Sequence, residues 1–357
     1  MTHLKELIDK LEKEQSLNKK EWIELIEGHN RKLSQYLFER ARKVRHKHYG
    51  NKVFQRGLIE FTNYCIQNCY YCGIRNSNKE IPRYRLSKDE ILSCCSLGYS
   101  LGFRTFVLQG GEDSFYEDDI LCEIIQEMHN RYLDCAITLS LGERSYDSYK
   151  KLYDAGADRN LLRHETYNSE HYSLLHPNHL TARKRQERLW DLKKIGYEVG
   201  TGFMVGSPFQ NASHLAGDMI FLKELNPQMV GIGPFMPHHK TPLKDKEAGS
   251  IELTLFMIGL IRLLIPKILL PSTTSLASIA SDGRERGILA GANVIMPNLS
   301  PTDNRKNYLL YDNKIGTEDD AICSQENIIN RMKSIGYEVV VSRGNSLNTD
   351  NTLGEQV

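Results

Sequence analysis

The stretch Cys65-Ile-Gln-Asn-Cys69-Tyr-Tyr-Cys72 spaces three cysteines as C-x3-C-x2-C, directly after Gly57-Leu-Ile-Glu-Phe-Thr62, a run typical of a buried strand. Three thiolates leave a tetrahedral zinc site, or a four-iron cubane cluster, one ligand short. A metal group bound by this loop would keep an open coordination position. We therefore expect the chemistry of the protein to begin there.

A closed structural zinc site is the alternative interpretation of these cysteines. It would need a fourth ligand, which His46, His48 or His164 could supply. We treat it as the weaker hypothesis.

Charge balance and cysteine usage indicate an enzyme that acts on small molecules. Lys and Arg number 46 against 45 Asp and Glu, a net charge of +1, so no broad positive surface for nucleic acid or an anionic membrane is expected. Eight cysteines in 357 residues, with Cys94 and Cys95 adjacent, do not resemble a secreted disulfide framework. No signal peptide is indicated either. These features predict a cytoplasmic protein with neither a nucleic-acid nor a membrane partner.

The most apolar stretch, 251–270, is interrupted by Glu252, Arg262, Pro266 and Lys267. This pattern favours a buried helix followed by a strand over a membrane span. Four cysteines among apolar neighbours are predicted to be core residues: Cys94, Cys95, Cys122 and Cys135.

Short apolar runs alternate along the chain with segments of helical periodicity. The predicted strands are 57–62, 104–109, 135–140, 159–164, 198–205, 228–233, 268–273 and 292–297. The predicted helices are 87–102, 118–132, 146–155, 182–195, 213–225, 253–264 and 277–290. This alternation predicts an α/β fold, a complete (β/α)8 TIM-type barrel with an N-terminal helical cover and a short C-terminal extension.

The domain organisation follows from the same pattern. Residues 1–50 are predicted to be the helical cover, and 51–342 the barrel with a C-terminal helix near 326–334 and a strand at 337–342. Residues 343–357 are predicted to be a disordered tail, since they are rich in Asn, Gly and Ser.

Polar residues follow several of the predicted strands where each strand ends. The segments are Gln109-Gly-Gly-Glu112, Ser140-Leu-Gly-Glu143, Arg163-His-Glu165 and Thr273-Thr274. Barrel enzymes build their active sites at the C-terminal ends of the strands. Ordinary helix caps and turns could account for any one of these segments, but the set predicts an active site beside the cysteine loop.

The cysteine spacing, with the aromatic Tyr71 directly before Cys72, resembles the signature of radical S-adenosylmethionine enzymes. The resemblance implies that Cys65, Cys69 and Cys72 bind three irons of one 4Fe-4S cluster, and that the fourth iron binds S-adenosylmethionine. It further implies one-electron cleavage of that cofactor to methionine and a 5'-deoxyadenosyl radical, with the protein supplying position and shielding.

Further strings narrow the resemblance to HydE, a family of maturases of the FeFe-hydrogenase. They are Arg83-Tyr-Arg-Leu86, Val107-Leu-Gln-Gly-Gly-Glu-Asp113, Thr138-Leu-Ser-Leu-Gly-Glu143, Leu162-Arg-His-Glu-Thr166, Met229-Val-Gly-Ile-Gly-Pro-Phe235 and Gly291-Ala-Asn-Val-Ile-Met-Pro-Asn298. Biotin synthase and the methylornithine synthase of pyrrolysine assembly are similar in the cysteine loop and less similar elsewhere.

The resemblance also implies the residues that bind the cofactor. They are Tyr71, Gln109, Gly110, Gly111, Glu112, Ser140, Glu165, Arg185, Met229 and Tyr308. Residue type supports several of these roles, because glycines let a backbone approach a ligand and a guanidinium can clamp a carboxylate. Glu112 and Asp113 are predicted to meet the cationic amino group of methionine.

The substrate implied by the resemblance is an iron(II) complex of cysteine, carbon monoxide and cyanide, Fe(CO)2CN bound to cysteine, which a partner maturase makes. Arg163, Thr273 and Thr274 are predicted to point at it as fixed donors. The radical is expected to attack the cysteine sulfur, on the way to the di-iron subcluster precursor. Expected partners are the other hydrogenase maturases and an electron donor such as flavodoxin or ferredoxin.

One departure from the family pattern concerns a second cluster. Some HydE proteins bind it through three cysteines after the last barrel strand, whereas this chain has only Cys323 there, with Gly316 at one of the positions. A second cluster is therefore predicted to be absent. At Gly110 a relative can carry Ser, which could alter a cofactor contact.

Two other functions stay open. One is a radical mutase such as methylornithine synthase, or a biotin-synthase-like enzyme, acting on a small amino acid or a vitamin precursor. The other is a noncatalytic iron–sulfur carrier, which would need no nucleoside-binding residues.

Overall fold

The computed structural model describes residues 2–317 and 321–348. The helices are α1 Thr2–Glu14, α2 Lys19–Glu27, α3 Arg31–Tyr49, α4 Lys88–Ser100, α5 Asp118–Arg131, α6 Tyr146–Asp154, α7 Ser169–Leu175, α8 Ala182–Ile195, α9 Ala212–Leu225, α10 Ile251–Leu264, α11 Thr274–Ile279, α12 Gly283–Leu289, α13 Thr302–Arg305 and α14 Ala321–Ser334. The strands are β1 Lys52–Gln55, β2 Gly57–Thr62, β3 Thr105–Gly110, β4 Ala136–Ser140, β5 Arg159–Leu161, β6 Glu198–Thr201, β7 Met204–Val205, β8 Met229–Val230, β9 Gly233–Pro234, β10 Val294–Ile295 and β11 Glu338–Val340.

Six parallel strands form the central sheet, in the order β2-β3-β4-β5-β6-β8. Helices follow these strands along the chain, so the predicted α/β fold is confirmed. Single parallel bridges continue the pairing beyond both edges of the sheet: Met229 with Leu269, Pro271 with Val294, and Asn298 with Leu58. These bridges support closure into an eight-stranded barrel, which stays a prediction over the segments 268–273 and 292–297.

The sheet strands are buried because their residues are apolar. All six residues of β2 are buried, as are the first four of β3 and of β4. Continuous apolar runs of this kind are typical of parallel strands that are covered by helices. The strand ends at Gln109, Gly110 and Ser140 are only half-buried, and this end of the sheet is where the candidate site lies.

Helix α10 is buried on nearly every side, and Arg262 within it is fully buried. Its guanidinium donates to the carbonyl oxygens of Gly291 and Ile268 at 3.0 and 2.7 Å. The arginine therefore joins the starts of the two segments that pair by single bridges. In the described part of the chain, no helix is long and apolar enough to cross a membrane.

The first three helices lie against the barrel helices, α2 on α9 and α3 on α10. Trp22, Leu33 and Leu37 are buried in the same core cluster as α10. At the other end of the chain, Arg343 forms an ion pair with Asp158 at 2.5 Å.

The predicted tail is attached to the barrel as far as the structure describes it. Ser346 is buried, and Asn348 donates to the carbonyl oxygen of Pro227 at 2.8 Å. Side-chain hydrogen bonds thus join 343–348 to the barrel, and the disorder expected of 343–357 stays a prediction. Residues 349–357 lie outside the described residues, and the division into domains stays a prediction.

Several element boundaries differ from the prediction. The strand expected at 159–164 ends at Leu161, and those expected at 198–205 and 228–233 are each divided into two short strands. The helix expected at 277–290 is divided into α11 and α12. Glycines and turns at the strand ends break the ladders, and apolar periodicity does not reveal such breaks.

Three elements were not predicted: β1, α7 and α13. Strand β1 pairs with β10 and β11 in a separate three-stranded sheet. Its partners are distant in sequence, so a local pattern could not identify them.

Gly202 and Gly231 lie on two neighbouring segments that are packed closely at the candidate-site end of the sheet. A methyl group on Gly202 would lie 1.9 Å from the carbonyl oxygen of Gly231, whereas one on Gly231 would meet nothing closer than Pro271 at 3.7 Å. We expect Gly202→Ala to lower the free energy of unfolding by about 2–3 kcal/mol, and Gly231→Ala to change it by less than about 1 kcal/mol. Thermal and denaturant unfolding of both variants would measure this. Equal stability of the two would show that the backbones can separate without cost.

Candidate active site

Three different segments hold the cysteine loop. Ile66 N donates to the carbonyl oxygen of Glu112, Tyr70 N to that of Leu175, and Gly73 N to that of Leu310, each at 2.9 Å. A methyl group on Gly73 would lie 2.1 Å from the carbonyl oxygen of Leu309. The loop is therefore fixed by the end of β3, by α7 and by the segment after α13.

The three thiols are close enough to influence one another but too far apart for one small ion. Burial raises the pKa of Cys69 well above its usual range, and Cys72 and Cys65 raise it further. A tetrahedral zinc at about 2.3 Å from each sulfur would hold the sulfurs about 3.8 Å apart. Among the described residues, the cysteine sulfurs do not form a group within 4.8 Å of one another. The loop thus fits a group larger than a single zinc ion.

The zinc alternative also lacks its fourth ligand. His164 is fully buried, with Nδ1 2.9 Å from Thr201 Oγ1 and Nε2 3.3 Å from Asp218. His46 and His48 lie on α3, where His46 packs on Tyr337. None of these three histidines accompanies the cysteines.

The two glycines at the end of β3 lie directly against the cysteine loop. A methyl group on Gly111 would be 2.2 Å from the carbonyl oxygen of Tyr64 and 2.6 Å from Cβ of Cys65, and one on Gly110 would be 2.7 Å from Thr62. The sequence suggested that these glycines let a ligand approach. In the structure, Gly111 approaches the backbone of Tyr64, and Gly110 approaches the side chains of Thr62 and Phe61.

Glu112 and Asp113 have different surroundings. Glu112 Oε2 accepts from Gln67 Nε2 at 2.6 Å and is only half-buried. Asp113 is buried, with both oxygens bound to Arg85 at 2.7 and 2.8 Å. Because Arg85 already neutralises Asp113, Glu112 is the better candidate for a ligand amino group, and the expectation for Asp113 is corrected.

Arg185 is the inward-facing cation of α8. It is buried and lies 2.7 Å from Glu143, whereas Arg183 and Lys184 are exposed. Burial opposes its charge, but Tyr172 and Glu143 hold the pKa of Arg185 above its usual value. A permanently charged guanidinium therefore lies at the rim of the site, as a carboxylate clamp requires.

Glu165 follows β5 in a left-handed backbone conformation, φ +64°. It is buried, and its Oε2 lies 3.2 Å from Nη2 of Arg163. This conformation is unfavourable for a glutamate, so the surrounding structure must stabilise it. Strained backbone of this kind is common at functional sites. Arg163 Nε is buried without a hydrogen-bond partner among the described residues, which leaves a donor available.

The remaining predicted cofactor residues come from separate segments, and of these Gln109 and Ser140 lie at the carboxyl ends of strands. Gln109 pairs in register with Ser140, and Tyr308 is 2% exposed. Tyr71 OH lies 3.1 Å from His176 Nε2. Met229 is in β8, where its sulfur accepts from Arg56 at 2.8 Å.

Thr273 and Thr274 mark the start of α11. Thr273 Oγ1 lies 3.0 Å from Ser275 Oγ and 3.3 Å from the carbonyl oxygen of Ile232. Arg163 follows the end of β5, and α11 begins directly after the bridged segment 268–273. The structure thus places Arg163 and α11 at the same end of the sheet, although it shows no direct contact between Arg163 and either threonine in the described residues.

Three residues near the site were not predicted from the sequence: Gln67, Tyr172 and His176. Glu143 belongs to one of the polar strand-end segments that predicted the site, but its pairing with Arg185 was not predicted. The rings of Tyr172 and His176 are stacked, with centroids 3.8 Å apart. Neither apolar periodicity nor residue spacing identifies residues that only pack against or position the residues of a site.

Comparison with known proteins agrees with this site. Residues 59–222 match the model of the Radical SAM superfamily. The [FeFe] hydrogenase maturase subunit HydE of Thermotoga maritima is 42% identical over 320 residues, 89% of this chain and 91% of the relative. A 3-methylornithine synthase of Methanosarcina acetivorans is 32% identical over 85% of this chain and 84% of the relative. The crystal structure of methylornithine synthase (PylB) superposes with a TM-score of 0.83 at 27% identity, covering 94% of this chain and 97% of that one.

The chain therefore belongs to the radical S-adenosylmethionine superfamily, whose members use a 4Fe-4S cluster to cleave S-adenosylmethionine reductively. It is an enzyme of that class. Within the superfamily it belongs with HydE, the hydrogenase maturase family.

The strain at Glu165 can be separated from the role of its carboxylate. Glu165→Ala and Glu165→Gly both remove the carboxylate, but only glycine adopts φ +64° without cost. We expect the Gly variant to be more stable than the Ala variant by about 1 kcal/mol, and both to bind S-adenosylmethionine about tenfold more weakly, the loss of about one charged hydrogen bond. Differential scanning fluorimetry and equilibrium dialysis would measure the two effects. Equal melting temperatures would refute the strain, and unchanged affinity would refute the cofactor contact.

Proposed function

We propose that this protein is a HydE-type maturase of the FeFe-hydrogenase, which acts on a cysteine-bound Fe(CO)2CN complex to make the precursor of the di-iron subcluster. The observation that carries the proposal is the convergence of the cysteine loop, Glu112 and Arg185 at one end of the sheet, with Arg163 and Glu165 nearby. The 42% identity to HydE over most of the chain supports this branch over the methylornithine synthases at 32% or less.

The cluster on Cys65, Cys69 and Cys72, together with S-adenosylmethionine, supplies a 5'-deoxyadenosyl radical by one-electron cleavage. The residues of the chain bind and orient the reactants. Glu112 receives the methionine amino group, and Arg185 receives the carboxylate.

Ser140, Glu165, Met229 and Tyr308 are proposed to bind the nucleoside. Glu165 accepts from hydroxyl groups, and the buried ring of Tyr308 closes the site against water at the strand end. Tyr71, whose hydroxyl is bound to His176, is held beside the cluster.

Arg163 is proposed to face the substrate. Its Nε is a buried donor without a hydrogen-bond partner in the described structure, and such a donor gains a bond when an anionic ligand such as a carboxylate or cyanide arrives. Thr273 and Thr274 are proposed to contribute from α11.

The proposal is tested by the products of the reconstituted, reduced protein with S-adenosylmethionine, with and without the cysteine-ligated iron complex. We expect mass spectrometry to detect an S-adenosylated cysteine product only when the complex is present. Release of 5'-deoxyadenosine alone would retain the enzyme class and refute the substrate. An intact cluster without any cleavage would favour the noncatalytic carrier.

The second candidate, a radical mutase of the methylornithine synthase kind, is favoured by the TM-score of 0.83 to PylB. It would act on an amino acid and form no bond to an iron-bound sulfur. Incubation with candidate amino acids and detection of methylornithine by mass spectrometry would decide for it.

We further propose a single cluster. Cys323 is the only cysteine after Cys135, so the chain cannot supply a second three-cysteine ligand set from that region. Mössbauer spectra of fully reconstituted protein are expected to fit one 4Fe-4S cluster, and the Cys65→Ala/Cys69→Ala/Cys72→Ala variant is expected to contain none. A second cluster signal that persists in the triple variant would overturn this.

The electron donor is proposed to be a flavodoxin or ferredoxin, and the other hydrogenase maturases are proposed as partners. A cytoplasmic location is proposed with them, since thiolate-bound clusters persist in a reducing compartment.

A further inference from the structure

Two arginines lie against the cysteine loop, and the proposed function uses neither of them. Arg83 begins the Arg83-Tyr-Arg-Leu86 string that supported the family resemblance, and Arg75 stands three residues after Cys72. The side chain of Arg83 is hydrogen-bonded to backbone carbonyls, whereas two nitrogens of Arg75 have no hydrogen-bond partner among the described residues. The two arginines are therefore expected to have different roles.

The guanidinium of Arg83 donates its hydrogen bonds to backbone carbonyl oxygens. Nη1 donates to the carbonyl oxygens of Asn63 and Ile74, and Nη2 to those of Arg75 and Asn78 at 2.7 and 2.9 Å. The first of these acceptors directly follows β2 and the others follow the last cysteine. Arg83 therefore ties the cysteine loop to the sheet and is a positioning residue.

Arg75 is buried at 9% exposure, but its side chain is not used in the same way. Nε and Nη1 are buried without a hydrogen-bond partner in residues 2–317 and 321–348. The guanidinium carbon lies 5.8 Å from the ring centre of Tyr70, the residue next to Cys69. Leaving a buried charged donor without an acceptor costs about 1–3 kcal/mol or more, so an acceptor belongs there when the site is complete.

Groups of the cysteine loop favour the charge of this arginine. Burial lowers the pKa of Arg75, whereas Cys69, Cys72 and Tyr70 raise it. The backbone N–H of Arg75 also donates to the carbonyl oxygen of Cys72 at 3.2 Å, which fixes where its side chain begins. The guanidinium thus lies on the Cys69–Cys72 side of the loop.

We propose that Arg75 sets the reduction potential of the cluster, by offering its buried N–H donors and its positive charge to the sulfurs on the Cys69–Cys72 side. Reduction adds one negative charge, which a fixed cation nearby stabilises, and hydrogen bonds to cluster sulfurs raise the potential. The electron comes from an external one-electron donor. This inference rests on the proposed placement of the cluster on these cysteines.

The test compares full-length wild type, Arg75→Gln, Arg83→Gln and the control Arg183→Gln. Arg183 is an exposed arginine of α8 whose side chain pairs with Glu187. Each protein is reconstituted without oxygen, its iron and sulfide are counted, and the cluster is titrated with dithionite and mediators while the reduced form is followed by electron paramagnetic resonance.

For Arg75→Gln we expect wild-type iron content and a more negative midpoint. At the wild-type midpoint, its ratio of reduced to oxidised cluster should fall about tenfold, which is 59 mV for a one-electron couple. For Arg83→Gln we expect reduced iron content, because the loop is released. Arg183→Gln should match wild type in both measurements.

A wild-type midpoint in a fully loaded Arg75→Gln protein overturns the proposal. If Arg75→Gln fails to assemble, Arg75→Lys decides, since lysine keeps the charge. Full loading of Arg75→Lys with a midpoint near wild type supports the proposal, and loss of its cluster would make Arg75 a packing residue. Absence of a 4Fe-4S cluster from wild type is a separate outcome, which would refute the proposed function first.

Discussion

The site depends on the contact between the end of β3 and the cysteine loop, where Gly111 lies too close to Tyr64 and Cys65 to carry a side chain. This contact requires that β2 and β3 be neighbouring parallel strands, since only then do both ends arrive at the same edge. The hydrogen bond from Ile66 to Glu112 crosses the same junction. The positions of the cysteine loop and of Glu112 are therefore both determined by the pairing of β2 with β3.

The charged residues around this junction fall into two groups, those that are paired with an opposite charge and those that keep an unpaired donor. The buried Asp113 is paired with the exposed Arg85, and Glu60 and Lys314 form a buried pair at 2.5 Å. Arg163, by contrast, retains a buried donor without a partner in the described residues. The two hydrogen bonds from Arg85 leave Asp113 little capacity for a ligand, whereas a buried donor without a partner is costly until a ligand binds. Arginines around the junction therefore differ in how fully their donors are used.

Much of the fold could be predicted because its strands are short apolar runs that end in Gly or polar residues. The runs at 57–62, 104–109 and 135–140 correspond closely to β2, β3 and β4. Prediction failed where a contact between distant segments decides the conformation. Strand β1, for example, pairs with β10 and β11, which are distant from it in sequence.

The sequence by itself determined the chemistry of the cysteine loop, because the spacing of three thiolates along one short segment decides how many ligands a metal group can receive. It also determined the order of strands and helices, since apolar periodicity is a local property. Only the tertiary structure decided that Arg185 faces inward while Arg183 and Lys184 face solvent, and that Asp113 belongs to Arg85. The burial and pairing of a side chain depend on which distant segments pack against it. The sequence of one segment does not distinguish residues of the same type in this respect.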